Sequence, residues 1–171
     1  PICDSLALHA ISILVQNLPN CSELGKDSLS NTKTAAAMAS LGSVGGGINT
    51  ATAHHVGGIF DVPHGDANAI MLPHSMRFNA EASAERQALI AQAMGIDTSS
   101  MSDHSAALAA ADAVEDLRNS LGLPGRLRDV GVPEDGLELI AAATLKDRSL
   151  ATNPTPVTDA GPIMSVLRSS W

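Results

Sequence analysis

The stretch Ala53-His54-His55-Val56-Gly57-Gly58-Ile59-Phe60-Asp61-Val62-Pro63-His64-Gly65-Asp66-Ala67-Asn68-Ala69-Ile70-Met71-Leu72-Pro73-His74-Ser75-Met76-Arg77-Phe78-Asn79 holds four of the chain's six histidines. It reads as helix, turn, helix. A helical segment fits Ile48 to about Ile59, Val62-Pro63-His64-Gly65 supplies the turn, and Asp66 to Asn79 forms the next helix. Pro73 lies inside that helix and should kink it, because it removes a backbone donor and crowds the preceding turn.

Working outward, the same period continues in both directions. Asp4 and Ser5 can cap a helix to about Asn17, where Pro19 stops it. Residues 20–31 are polar and read as a loop. Thr32 to Leu41 fits a second helix, and Gly42 with Gly45-Gly46-Gly47 then loosens the chain. Beyond the opening stretch, Ser83 begins a helix with Leu89, Ile90 and Met94 at helical spacing and Gly95 as its stop. Another starts at Ser102 or Asp103 and closes at Gly122, with Leu108, Val114, Leu117 and Leu121 as its apolar positions. Arg126 to Val132 is a connector, and Pro133 opens a helix ending near Lys146. Thr152 to Pro156 is extended. Thr158 or Asp159 caps a last helix through Val166 and Leu167. About eight helices and no strand make an all-α chain, read as one helical domain over 1–171.

Composition agrees. The 171 residues suit one domain, and 44% of them are apolar. Only 16% are charged, against about 25% in ordinary globular domains. Phe60, Phe78 and Trp171 are the only aromatics, so the core must be built from Ala, Leu, Ile, Val and Met. From Ala35 to Phe60 there is no Asp, Glu, Lys or Arg. That run is rich in Gly, Ala, Ser and Thr, too polar for lipid, so it is expected to be buried within protein. The net charge of −8 argues against nucleic acid, and no basic amphipathic segment suggests a membrane surface. Cys3 and Cys21 are no disulfide framework, and no signal peptide is visible, so a cytoplasmic setting is expected. Pro1 is not an initiator Met, so the chain is expected to be a processed or truncated product.

The histidines carry the chemistry. His9 stands alone on the first helix, and His104 beside Asp103 at a helix start; both have ordinary structural readings. His54, His55, His64 and His74 fall within 21 positions in a region nearly free of charge. A short turn can bring His54 and His64 towards one point. Imidazoles converging there suit a divalent transition metal or proton relay near neutral pH. The competing reading is a helix-hairpin core with hydrogen-bonded histidines, and spacing alone leaves both open.

The run Ala53–Asn79, and its P-H-G-x-A-N-A-I-x-L-P-H block above all, resembles the signature of the iron-containing (class IV) alcohol dehydrogenases. That superfamily includes maleylacetate reductases and is related to glycerol dehydrogenases and dehydroquinate synthases. The resemblance covers nearly the whole chain. The P-x-x-D-x-L-A-L start of Pro1–Pro19 is similar to the helix after the family's first metal ligands. Arg126-Leu127-Arg128-Asp129-Val130-Gly131-Val132-Pro133 is similar to its late connector, and Leu150-Ala151-Thr152-Asn153-Pro154-Thr155-Pro156 to its N-P-x-P segment.

The resemblance implies the C-terminal, dehydroquinate synthase-like helical domain of a two-domain enzyme. Its N-terminal Rossmann-like domain, which binds NAD or NADP, is missing from this chain. It implies Fe²⁺ or Zn²⁺ polarising an alcohol or carbonyl oxygen during hydride transfer. His64 matches a metal ligand, and His54 matches a non-ligand histidine that faces the reaction centre, here assigned as catalytic. The ligand expected fourteen positions before His64 is replaced by Thr50, which implies a weakened or lost metal site. His55 is a candidate replacement ligand, although consecutive helix residues point roughly 100° apart and do not easily serve one site with His54. His74 is structural or lines the cleft. Asp66 can cap a helix instead of binding metal, and Gly45-Gly46-Gly47 serves close helix packing instead of phosphate binding.

The leading expectation is therefore part of an NAD(P)-dependent oxidoreductase. It would interconvert a small alcohol and a carbonyl, or reduce a maleylacetate-like enone, as a homo-oligomer partnered by a nucleotide-binding domain. The alternative is a non-catalytic helical assembly or interaction module. A stand-alone metal-binding protein is a third reading, and it needs a further ligand.

Overall fold

The computed structural model describes residues 2–23, 26–42 and 45–171. Its described residues form eight α-helices and no strand. The helices are α1 (Ile2–Asn17), α2 (Lys26–Gly42), α3 (Ile48–Phe60), α4 (His64–Phe78), α5 (Ala84–Ala93), α6 (Asp103–Ser120), α7 (Leu137–Thr144) and α8 (Ala160–Ser169). Short 3₁₀ turns fill several connections. They gather into two compact units, Pro1–Val44 with Ala84–Leu121, and Gly45–Ser83 with Gly122–Trp171.

In the first unit α1 packs on α2, α5 on α6, and α1 on α5. Its buried apolar residues among those described are all alanine: Ala10, Ala35, Ala88, Ala91, Ala106, Ala107, Ala110 and Ala111. The α6 set repeats at i, i+1, i+4 and i+5, a narrow stripe on one helical face. The expected leucine face is thereby corrected. Leu108 is exposed and Leu117 only half-buried, because the smooth alanine stripe lets another helix come closer than leucines would. Ser102 caps α6, accepting from Ser105 N at 3.2 Å, and Asp4 is paired with Arg86. Ile2–Cys21 is long and apolar enough to cross a membrane by length and composition, and in α1 only Ala10 is buried.

Two expectations fail here. Residues 20–31 are not a loop. The 3₁₀ turn Leu18–Glu23 follows α1, and α2 starts at Lys26, six residues before Thr32, with Asp27 in its first turn favouring the helix N-terminus. The uncharged run is also not uniformly buried. In its α2 part Ala35 is buried, but Ala36, Ala37 and Ser40 are exposed, as small side chains tolerate a wet helix face, and Leu41 is 77% exposed. The α3 part is buried, at Ile48, Ala51, Thr52, Ala53 and Val56. Cys3 and Cys21 are free thiols, and Cys21 hydrogen-bonds Asn17 O and Thr32 Oγ1.

The second unit has a different interior. Ile48, Val56, Ile70, Met71, Leu127, Val132, Leu137, Ile140, Ile163, Val166 and Leu167 form one buried cluster from α3, α4, α7, α8 and the connector. Fully burying one such side chain contributes about 1.5–3 kcal/mol. Asp61 ends α3 in the left-handed region (φ 56°), a conformation Asp tolerates better than most residues. Pro63 then serves as N-cap, so α4 starts at His64, two residues before the expected Asp66. Asp66 sits in the first turn without making a side-chain cap, and α4 runs on through the buried Pro73.

The helix expected from Pro133 to Lys146 is shorter. Glu134–Gly136 is a 3₁₀ turn, and α7 covers only Leu137–Thr144. Gly136 lies under the Phe60 ring, where an added Cβ would come within 2.4 Å of Cζ. That glycine weakens the helix start while making room for the aromatic. Asp159 caps α8 as expected, accepting from Gly161 N at 2.8 Å.

Candidate active site

The site is assembled on the second unit by the α3–α4 turn and one distant segment. The left-handed Asp61 and the Pro63 cap reverse the chain, and the ring of His64 at the head of α4 then lies over that of His54 on α3. Their centroids are 5.8 Å apart and the planes 21° from parallel. Asn49 Nδ2 donates to Asn68 Oδ1 at 2.8 Å, and Asn68 Nδ2 to the His64 carbonyl at 2.9 Å, which ties α3 to the first turn of α4. The sequence reading brought His54 and His64 together correctly.

The glycine run is a docking strip for the chain after α7. Gly47 N donates to Ser149 O at 2.8 Å and Gly46 N to Thr152 Oγ1 at 3.1 Å. A Cβ at Gly46 would approach Ser149 Cβ to 2.8 Å, so side chains are excluded there. The expected close packing is real, but it is against the 3₁₀ turn Arg148–Thr152 and not against a helix. Asn153 locks the strip from below. Its Oδ1 accepts from Ile48 N at 3.0 Å, and its amide pairs with that of Asn79 at 2.9 and 3.1 Å.

This docking brings in a residue that the sequence reading missed. Asp147 precedes the 3₁₀ turn and caps it, Oδ1 accepting from Ser149 N at 2.8 Å. Its Oδ2 lies 3.3 Å from His54 Nδ1 and 3.4 Å from His55 Nε2. The two diverging rings of α3 therefore do meet at one oxygen, which the 100° separation alone made unfavourable. Only the His54 contact has hydrogen-bond geometry; His55 Nε2 is buried without a hydrogen bond. Burial raises the Asp147 carboxyl. The Ser149 amide and hydroxyl donors and the His54 ring outweigh that and hold it below its ordinary 3.8. The only hint in the sequence was Asp147 two residues before Ser149, a capping pattern that says nothing of His54.

His54 is about half-exposed, and His55 and Asp147 line an open cleft of about 550 Å³ with Ala143, Lys146 and Arg148. His74 lies ten residues beyond His64 on α4, roughly 15 Å along the axis. It lines a separate cavity of about 200 Å³ with Arg77 and Ser165, so it is not part of this cluster. His9 and His104 are exposed on the first unit. Thr50 is one turn before His54 on the same face of α3 and half-buried.

Neither implied cofactor is accommodated by this chain's residues alone. No group of three or more His, Cys, Asp or Glu side chains is placed to hold a metal among the described residues. Thr50 offers only a hydroxyl where an imidazole was expected, and His55 is turned to Asp147. Gly46 and Gly47 spend their amides on Ser149 and Thr152, so they do not cradle a phosphate.

Comparison with known proteins agrees with this architecture. The family model for "Fe-containing alcohol dehydrogenase family, C-terminal" matches residues 1–171. The chain is 37% identical to the 1,3-propanediol dehydrogenase of Citrobacter freundii, over 90% of this chain and 41% of that protein. It is 35% identical to the lactaldehyde reductase of Escherichia coli K12, over 99% of this chain and 45% of that protein. The solved structure of an alcohol dehydrogenase from Oenococcus oeni superposes with a TM-score of 0.90 at 30% identity, covering 100% of this chain and 45% of the other. The chain thus spans less than half the length of these relatives. Its signature block, its helices and their packing all carry the same assignment: the chain belongs to the Fe-containing alcohol dehydrogenase family and corresponds to that family's C-terminal part.

Proposed function

We propose that this chain supplies the proton-handling wall of the substrate cleft in an NAD(P)-dependent oxidoreductase that interconverts a small alcohol and a carbonyl, or reduces an enone. The observation that carries the reading is the stacked His54–His64 pair, tied to an open cleft through Asp147, which lines that cleft and lies 3.3 Å from His54 Nδ1. His54 is the proton relay. In the oxidising direction the substrate hydroxyl proton passes to His54, and the half-exposed ring hands it to water. A nucleotide-binding domain outside this chain would hold NAD or NADP, which would supply the hydride chemistry.

His64 would be one ligand of Fe²⁺ or Zn²⁺, with the further ligands supplied from outside these residues, and Thr50 would weaken that site. No step here rests on the metal. A cytoplasmic setting fits the two free thiols and the relatives' names as metabolic enzymes, and the full-length protein is taken to be a homo-oligomer.

The test is His54→Gln in the full-length protein, assayed for NAD(P)-linked oxidation of propane-1,3-diol and lactaldehyde reduction. The expected loss in kcat is on the order of 100-fold, the usual contribution of a positioned acid–base group. Full activity would refute the reading. In the same series His64→Ala should lower the metal content of the purified protein; an unchanged content would remove His64 from the metal.

A non-catalytic assembly module is the second reading, favoured by the apolar residues that α1 and α2 leave exposed, Ile2 and Leu41 each at 77%. It predicts that the full-length protein takes up no NADH in a fluorescence titration, and a saturable NADH signal excludes it.

A further inference from the structure

We infer that Asp147 is the positioning residue for His54: it fixes the ring's tautomer so that Nδ1 carries the proton and Nε2 presents a lone pair. The inference rests on the reading of His54 as proton relay and extends it to a residue 93 positions away in the chain.

The Asp147 carboxylate is engaged at both oxygens. Oδ1 is committed to Ser149 N at 2.8 Å, so the group cannot rotate freely. Oδ2 then faces His54 Nδ1 at 3.3 Å. An ionised carboxylate only accepts hydrogen bonds, so the facing nitrogen must donate. A neutral imidazole has one N–H, and placing it on Nδ1 leaves Nε2 as the acceptor.

Two neighbours support the assignment. The His64 ring stacked on His54 restricts its rotation about χ2. His55 Nε2 approaches the same Oδ2 at 3.4 Å without hydrogen-bond geometry, so it does not take the bond from His54. The segment carrying Asp147 is itself held on α3 by the Gly46 and Gly47 amides, which makes the distance a property of the fold and not of one side chain.

Asp147→Asn in the full-length protein separates this role from capping. The amide oxygen of the substituted side chain can still accept from Ser149 N, so the turn keeps its cap. Its NH₂ then faces His54 Nδ1, which must accept, and the ring proton moves to Nε2. The expected result is a kcat loss of at least about 100-fold with KM changed less than about threefold, as for other orienting carboxylates replaced by amide. In a His54→Gln background the same substitution should add less than about threefold, because Asp147 acts through His54.

Three results would overturn the inference. Asp147→Asn could keep kcat within about twofold while His54→Gln is inactive, which leaves the relay reading intact and removes Asp147 from it. The two losses could multiply in the double variant, which would make Asp147 merely structural. His54→Gln could itself be fully active, which removes the relay reading beneath the inference. The tautomer can also be read directly on unsubstituted protein, independently of activity. With ring-¹⁵N histidine, and His54 assigned by the signals lost in H54Q, the Nδ1–H tautomer is expected, and the Nε2–H tautomer refutes the inference.

Discussion

The two units solve the same packing problem with different side chains. The first buries only alanine among its described apolar residues, while the second buries a cluster of Ile, Leu, Val and Met. An alanine contact brings helices close but removes little apolar surface; a leucine removes about three more CH₂-sized groups, each worth roughly 0.8 kcal/mol. The histidines that matter are on the unit with the large side chains. A pair of rings stacked at 5.8 Å and a carboxylate 3.3 Å away need a rigid support, and interlocked branched residues provide one. The overall apolar share of 44% conceals this inequality.

The large-residue core is expected to be the more sensitive of the two interiors. Leu167→Ala, at a fully buried site on α8, should cost about 2–5 kcal/mol in denaturant unfolding of the second unit. A loss below about 1 kcal/mol would mean that this cluster is loosely filled and no stiffer than the alanine unit. The opposite substitution probes the first unit. Ala107→Leu adds bulk where the alanine stripe has no space and should destabilise by about 1–3 kcal/mol. A stabilised protein would instead reveal slack between the helices, and the contrast in packing would need restating. The smallest effect sharpens the comparison at an exposed end. Ser102→Ala removes the α6 cap and should cost about 1 kcal/mol, with amide exchange rising only in the first turn of α6. Exchange rising through the whole first unit would show that its stability is as marginal as its small side chains suggest.

Asp147 adds a pH signature with a definite sign. Its folded value lies below the ordinary 3.8, so its contribution to stability is complete above that value and is lost as pH falls through the lower folded one. The difference in stability between the parent and Asp147→Asn should therefore be flat from neutrality to about pH 5 and shrink below about pH 4.

Much of this was legible locally. Ser102 and Asp159 announce α6 and α8 because a capping side chain acts within three residues. His54 and His64 were paired because one short turn joins their helices, and the P-H-G block carried the family. The errors have separate causes. The α2 start was missed because Lys26–Asn31 lacks an apolar face, and the first turn after Pro133 became 3₁₀ where Gly136 meets Phe60, a partner 76 positions earlier. The α6 face was misread because leucine is the stronger hydrophobe, while alanine is the better fit to a close helix crossing.

The helical class, most helix ends, the family and the approach of His54 to His64 are written in the sequence, since all follow from short-range period, caps and motif. Only the tertiary structure decided the division into two units, the Asn79–Asn153 lock and the meeting of Asp147 with His54. Those contacts join residues 74 to 93 positions apart, and nothing local selects such partners: they exist only because the glycine strip and the aliphatic core hold distant helices in register.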